Sequence, residues 1–425
     1  MRTLIIWLYP FLLNISLLSG VLFFSHLHYS LAARYSTIIF FISSAAFSVF
    51  ILMWFITMWV ITKQKRMRFR LYSSKFLLLY CSMALFSLFT PYTRVNSLSD
   101  SLAQTFYLIL VFIFIRLMFE LKWDSSLDAI KEFFSGLFWG NFFFSIIALI
   151  VVGREAQMGA LGNERYLHPG VIGLHSGIAA LIAYSRFRSL KKRRLFYLVG
   201  FIILSILTLM TLNKTSIVGL VVTVIFISII IAQRTFKLKE LILALLAIAI
   251  VALPLLDKLE EMYTKYISNT SERGAYTLSG RLILWQVALS FIRENLWLGY
   301  GYGAASDWLI EYIPWKVSWA LHTHNDLLNS LLEVGIMGTV FLFIVIIRTG
   351  ILLVRLAFSR YFDSDLSAII LQILSVYLFS LLYSLTIAFF AYFGIGFILL
   401  CFLSLSTDLL WIKLGKKHRV IRSFQ

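Results

Sequence analysis

Long apolar runs, each broken by a short polar or basic stretch, follow one another along this chain from residue 4 to residue 410. A helix crosses a bilayer core with about 20 apolar residues, and most of the runs have about that length. The pattern predicts twelve helices, near 4–26, 37–62, 72–91, 103–121, 133–153, 170–185, 195–213, 215–232, 240–256, 325–347, 366–384 and 386–410. The first starts directly after Arg2, exceeds a signal-peptide core in length and shows no small-x-small cleavage pattern, so it reads as a retained span. Most connections are short, but residues 257–324 form one long segment between the ninth and tenth runs. A connection of that length in a compact bundle is usually functional. The chain therefore divides into 1–256 with helices one to nine, a large loop at 257–324, and 325–425 with helices ten to twelve and a basic tail.

Composition agrees with the pattern. The 425 residues are 60% hydrophobic and only 14% charged, with a mean hydropathy of +0.88, far from soluble globular domains. The predicted class is an all-α polytopic membrane protein. Lysine and arginine stay on the cytoplasmic side of such proteins. The clusters KQKRMRFRLYSSK (63–75), RFRSLKKRR (186–194), the turns at 234–239 and 348–360 and the tail at 413–425 all fall on one side if both termini are inside. The net charge of +18 thus follows the topology rule, and the pI near 9.9 is no sign of a nucleic-acid partner. Cys81 and Cys401 both lie inside predicted spans and do not read as a disulfide or metal pair.

Within the long loop, SGRLILWQVALSFIRENLWLGYGYG (279–303) has a helical period. Leu282, Trp285, Leu289, Ile292 and Leu296 recur at three- and four-residue steps, Ser279 is placed to cap the start, and Gly299, Gly301 and Gly303 end the segment. Such a helix lies at a membrane surface with its apolar face down. Arg281 sits in its first turn, where a cation opposes the helix dipole. A lone arginine there commonly meets a lipid headgroup; an anionic ligand is the other reading.

The stretch HTHNDLLNSLLEVGIMG (322–338) opens the tenth helix on the outer side with polar groups. Asp326, Asn329, Ser330 and Glu333 recur at i, i+3, i+4 and i+7, a polar stripe on one face. Ionisable groups at that depth must face the bundle interior or a water-filled cavity. A cap followed by interhelical hydrogen bonds is the simpler reading of Asp326 and Glu333. His324, in the first turn, feels the positive end of the dipole, which keeps imidazole neutral and competent as a general base. The same helix end would favour a phosphate. Taken alone, such a histidine is more often structural than catalytic.

The arrangement nevertheless resembles a known family. His324-Asn325, nine residues, then Gly335-Ile-Met-Gly338 is similar to the signature of the O-antigen ligase family, His-Asn/Ser/Gln, nine residues, Gly-x-x-Gly. Arg281 in SGRLILWQVALSFI resembles that family's Gly/Ala-Arg motif in the large periplasmic loop. TLNKTSIVGL (211–220) stands where the family has Thr-x-Thr/Ser-Arg, so Lys214 replaces an arginine. Lysine keeps the charge and loses the planar fork that suits phosphate. NERYLHPGVIG (163–173) resembles the earlier outer loop that supplies a further arginine, here Arg165.

The resemblance spans about residues 150 to 345 together with the twelve-helix plan. It implies a GT-C-like glycosyltransferase of the bacterial inner membrane, working on the periplasmic face. The implied donor is a glycan on undecaprenyl pyrophosphate and the implied acceptor a lipid A core sugar. His324 would be the general base, and Arg281, Lys214 and Arg165 would neutralise the pyrophosphate leaving group, with Asn325, Asp326, Gly335 and Gly338 in support. The resemblance implies no cofactor and no obligatory metal. Two alternatives stay open: a glycan polymerase, which differs mainly in its acceptor, and a glycolipid transporter. Transporters gather polar residues near the bilayer midplane, whereas here they gather at outer helix ends and in one loop.

The remaining polar residues read more simply. His26 and His28 lie at an outer interface, His168 shapes a turn before Pro169, and His175 reads as a buried hydrogen-bonding group. His322 is the second candidate base, off the family pattern. Arg116 and Glu120 are spaced to pair along one helix. Trp315 and Trp319 fit an interfacial aromatic belt.

Overall fold

A computed structural model describes residues 72–89, 95–121, 126–152, 169–190, 193–235, 281–304, 308–309, 322–359, 364–391 and 394–422. The expected spans near 4–26, 37–62 and 240–256 lie outside the described residues, as do most of the long loop, Arg165, His26, His28, His168, Ser279, Trp315 and Trp319. Among the described residues all regular structure is helical. In chain order the helices are α1 (Tyr72–Ser87), α2 (Val95–Leu121), α3 (Ser126–Val152), α4 (Pro169–Ser189), α5 (Arg194–Met210), α6 (Lys214–Thr235), α7 (Arg281–Glu294), α8 (Asp326–Phe358), α9 (Ser364–Ser384) and α10 (Ile395–Arg422).

Six of them contain a stretch long and apolar enough to cross a membrane, within α3, α4, α6, α8, α9 and α10. The apolar parts of α2 and α5 are shorter, at Gln104–Phe119 and Arg194–Met210. The chain is thus a multi-pass α-helical membrane protein. One expected span is corrected. The helix read from 386 begins only at Ile395, because residues 385–391 form a turn and an irregular strap, and Gly394 takes φ 130°.

The chain forms two compact units. The first comprises residues 1–46, 124–270 and 354–382. Its described part is organised around α4, buried over most of its length and packed against α3, α5 and α6. Small residues make that approach possible, as expected where lipid gives helices no hydrophobic reason to associate. A Cβ on Gly173 would lie 2.6 Å from Ser216 Oγ, and one on Gly177 would lie 2.5 Å from the Phe379 ring. Polar side chains pair across the packed faces. His175 Nδ1 meets Asn141 Oδ1 at 2.5 Å, Ser176 Oγ meets Thr208 Oγ1 at 2.8 Å, and Arg186 Nε donates to Gln372 Oε1 at 3.1 Å. His175 is therefore the buried hydrogen-bonding group its context suggests.

The second unit comprises residues 47–123, 271–353 and 383–425. At one end Asp408 of α10 accepts from Arg348 Nη2 (2.7 Å) and from the backbone N–H of Ser73 (2.6 Å), so one buried carboxylate both pairs a half-buried arginine and caps α1. Cys81 and Cys401 are buried and free. The Arg116–Glu120 spacing is untested, since the Glu120 side chain is outside the described residues.

Candidate functional site

The site is built on two helix starts and a broken helix, all within the second unit. Helix α8 does not run straight through its signature glycines. At Gly335 the backbone takes φ 62° and ψ −173°, a conformation that only glycine adopts readily. The break frees the carbonyl of Leu332 and the N–H of Ile336, which would have bonded each other in a continuous helix. Both find partners in the turn after α7. Tyr300 N–H donates to Leu332 O (2.8 Å), Gly301 N–H to Glu333 O (3.0 Å), and Ile336 N–H to Leu296 O (2.8 Å). The approach is backbone on backbone. A Cβ on Gly335 would collide with the Trp297 carbonyl, and one on Gly299 would lie 2.5 Å from the Glu333 carbonyl. Gly299, Gly301 and Gly303 all have positive φ, so the glycine-rich turn and the Gly-x-x-Gly motif form one joint.

Helix α7 is held against that joint by an apolar cluster of Leu284, Ala288, Phe291, Ile292, Tyr300, Leu309 and Leu332. The apolar residues of α7 divide between a buried and an exposed face. Leu284, Ala288, Phe291 and Ile292 are buried in the protein, while Leu289 and Leu296 of the stripe read from the sequence are exposed. The reason is that a helix facing lipid on one side and protein on the other is apolar on both, so periodicity alone cannot assign the inner face.

The start of α8 is fixed by side chains. Asn325 is the N-cap: its Oδ1 accepts from Leu328 N–H at 3.1 Å, and its Nδ2 donates to Leu385 O at 3.1 Å. Asp326 turns inward, and its carboxylate accepts from the backbone N–H groups of Phe389 (2.6 Å), Phe390 (2.8 Å) and Ala391 (2.9 Å). This clamp is why residues 385–391 are a strap and not a turn of helix. Asn329, Ser330 and Glu333 are buried with Asp326, as the polar stripe predicts. Thr339 Oγ1 donates to Gly335 O (2.7 Å) and lies 3.1 Å from Ser330 Oγ, tying the stripe across the break.

His324 lies just outside α8, before the cap, and not in its first turn; it has a left-handed backbone at φ 55°. Its neighbours in sequence are firmly held. Thr323 O accepts from Trp285 Nε1 of α7 (2.8 Å), Thr323 N–H donates to Asn329 Oδ1 (3.3 Å), and Thr323 Oγ1 donates to Asn325 O (2.9 Å). Trp285 stands one turn beyond Arg281, so the indole bond sets the register between the arginine and the histidine loop.

Four side chains converge here. The His322 and His324 rings pack edge to face with centroids 4.2 Å apart. Burial pushes the His322 pKa down to about 3, and the nearby His324 and Arg281 push in the same direction. Arg281, the first residue of α7, is half-buried; burial lowers its pKa while Tyr383 opposes the shift. The structure thus brings Arg281 and His324, singled out independently in the sequence, within electrostatic reach of one histidine. Tyr383 was not anticipated, because it ends an apolar helix with no local signal. His322 Nδ1 accepts the backbone N–H of His324 at 3.1 Å, so the neutral ring carries its proton on Nε2.

Lys214 belongs to the first unit, where it is the exposed first residue of α6. The helix start there is capped by Asn213, whose Oδ1 accepts from Ser216 N–H at 2.9 Å. Among the described residues no group of three His, Cys, Asp or Glu side chains could hold a metal ion.

Helical membrane architecture with buried polar chemistry at helix ends defines the class. Within that class, residues 198–343 match the family model described as O-Antigen ligase. The match runs from within α5 to within α8 and contains Lys214, Arg281, His324, Asn325, Asp326, Gly335 and Gly338. Over these residues the chain is similar to the O-antigen ligase family, in agreement with its motifs. Enzymes of this family act on glycans, as ligases or polymerases. No curated protein matches the chain.

Proposed function

We propose that the protein is a glycosyltransferase of the bacterial inner membrane that moves a glycan from undecaprenyl pyrophosphate to a sugar hydroxyl of the lipid A core. The reading assigns twelve spans, cytoplasmic termini, a periplasmic loop at 257–324 and an active site on the periplasmic face. The observation that carries it is the convergence of Arg281 and His324 on His322, with their register fixed by the Trp285–Thr323 bond.

In this reading His324 takes the proton of the acceptor hydroxyl as that oxygen attacks the anomeric carbon. The bond from that carbon to the pyrophosphate oxygen breaks, and undecaprenyl pyrophosphate departs with the electron pair. Arg281, joined by Lys214 and Arg165, meets the charge that develops on the leaving group. Half-burial strengthens the arginine's part, since a charge in a low-dielectric site acts more strongly than one in water. Asn325 and Asp326 hold the loop that presents His324, and Gly335 with Gly338 shapes the helix behind it.

The polymerase reading uses the same residues and a different acceptor. The two are separated by incubating purified protein in detergent with undecaprenyl-pyrophosphate-linked glycan, with and without lipid A core. Attachment to core supports the ligase, and longer lipid-linked chains without core attachment support the polymerase. No covalent transfer under either condition refutes both and leaves transport.

A further inference from the structure

The histidine that does not fit the signature is His322. We infer that His322 is a positioning residue, whose ring nitrogen holds the backbone of His324 in the left-handed conformation that presents the base. This inference rests on His324 acting as the base in the proposed transfer.

Three observations carry it. His324 has φ 55°, a left-handed backbone that an L-residue other than glycine holds only when its surroundings offset the strain. His322 Nδ1 accepts the His324 N–H at 3.1 Å, closing a ring across two residues in the way an Asx turn does. The two imidazoles also pack edge to face with centroids 4.2 Å apart, so the ring that accepts the amide also supports the side chain it positions. On either side the chain is fixed by Trp285 through Thr323 and by the Asn325 cap. The groups that face His322 are Arg281 and His324, both of which disfavour a second proton on its ring. Its neutral form is thereby kept, and only the neutral form leaves Nδ1 free to accept.

The test uses full-length protein in detergent, as wild type, His322→Ala and His322→Asn. Asparagine supplies an oxygen that accepts from the N–H two residues on, whereas alanine supplies nothing. His322→Ala should lower kcat for glycan transfer about 10- to 100-fold with KM changed little, the scale of a misplaced catalytic group. His322→Asn should recover most of that loss, and all three proteins should keep the same apparent pKa on the acid side of the pH–rate profile. Amide exchange supplies a readout independent of activity. The His324 N–H should be protected in wild type and His322→Asn and should exchange at least about tenfold faster in His322→Ala, the change expected on losing one amide bond.

Wild-type kcat in His322→Ala, or equal exchange at His324 in the three proteins, would overturn the inference. So would His322→Asn being as inactive as His322→Ala while unfolding at the wild-type temperature, since the ring itself would then be required. Disappearance of the acid limb in His322→Asn would make His322 the base. If wild type transfers no glycan while the exchange pattern holds, the loop device stands and the transfer reading falls.

Discussion

Replacing Gly335 by alanine should be among the most damaging one-carbon changes in the protein. At φ 62° and ψ −173° the residue occupies a region essentially reserved for glycine, and an alanine there costs about 1–3 kcal/mol in backbone strain. The new Cβ would also collide with the carbonyl of Trp297. The turn at 296–301 must then withdraw, releasing the bonds Tyr300 N–H to Leu332 O, Gly301 N–H to Glu333 O and Ile336 N–H to Leu296 O. At a net value of about 1 kcal/mol each, their loss brings the total to about 4–6 kcal/mol. Gly338→Ala is the internal control. There the Cβ would lie 2.5 Å from Val334 Cγ2 and 2.7 Å from Val334 Cβ in ordinary helical backbone, so the helix must shift locally, but none of the three joint bonds is in the way. Thermal unfolding followed by tryptophan fluorescence, with amide exchange at Tyr300, Gly301 and Ile336, measures both. Gly335→Ala should unfold many degrees lower with those amides exposed, whereas Gly338→Ala should unfold less far below wild type and keep those amides protected. Equal effects of the two substitutions, or protected amides in Gly335→Ala, would refute the joint as described.

Other changes test the loop around the site. Asp326→Asn keeps the shape and presents an NH₂ to N–H groups that need an acceptor, at about 1–3 kcal/mol per orphaned donor; faster exchange at Phe389, Phe390 and Ala391 should accompany it, and unchanged exchange would contradict the clamp. Trp285→Phe preserves most of the ring and removes the bond to Thr323 O, so transfer should slow about tenfold in kcat with a stability loss of about 1 kcal/mol; unchanged kcat would separate register from activity. His322 binds a proton less readily folded, near pH 3, than unfolded, near 6.5, so the unfolded state holds more protons in between. Its contribution is therefore fully present above about pH 6.5 and is lost as pH falls towards 3; unfolding temperature against pH should be flatter over that window in His322→Asn, and an unchanged slope would contradict the buried neutral ring.

Much of this was legible in the residue pattern, and the failures share a cause. The apolar runs locate α3, α4, α6, α8, α9 and most of α10 because span length is set by the bilayer, not by neighbours. The polar stripe Asp326, Asn329, Ser330 and Glu333 reads correctly as buried, since ionisable groups have nowhere else to go in an apolar bundle. Hydropathy fails where lipid and protein interior look alike. Helix α7 is apolar on its buried and its exposed face alike, and Leu385 to Ala391 are as apolar as a span yet form a strap drawn out by one carboxylate. The break in α8 had a signal in the two glycine groups, 299–303 and 335–338, whose meaning appears only when their backbones meet. Tyr383 and the role of His322 depend on contacts between segments far apart or on a backbone angle, which no periodicity encodes.

The central claim is that His324 and Arg281 form one transfer site. Its most direct test is single-turnover transfer of glycan from undecaprenyl pyrophosphate by wild type, His324→Ala and Arg281→Ala, each checked for wild-type unfolding temperature. The account predicts losses of at least about 100-fold in both variants, the scale of removing a base or a charge-stabilising group. Transfer at the wild-type rate in His324→Ala would contradict it.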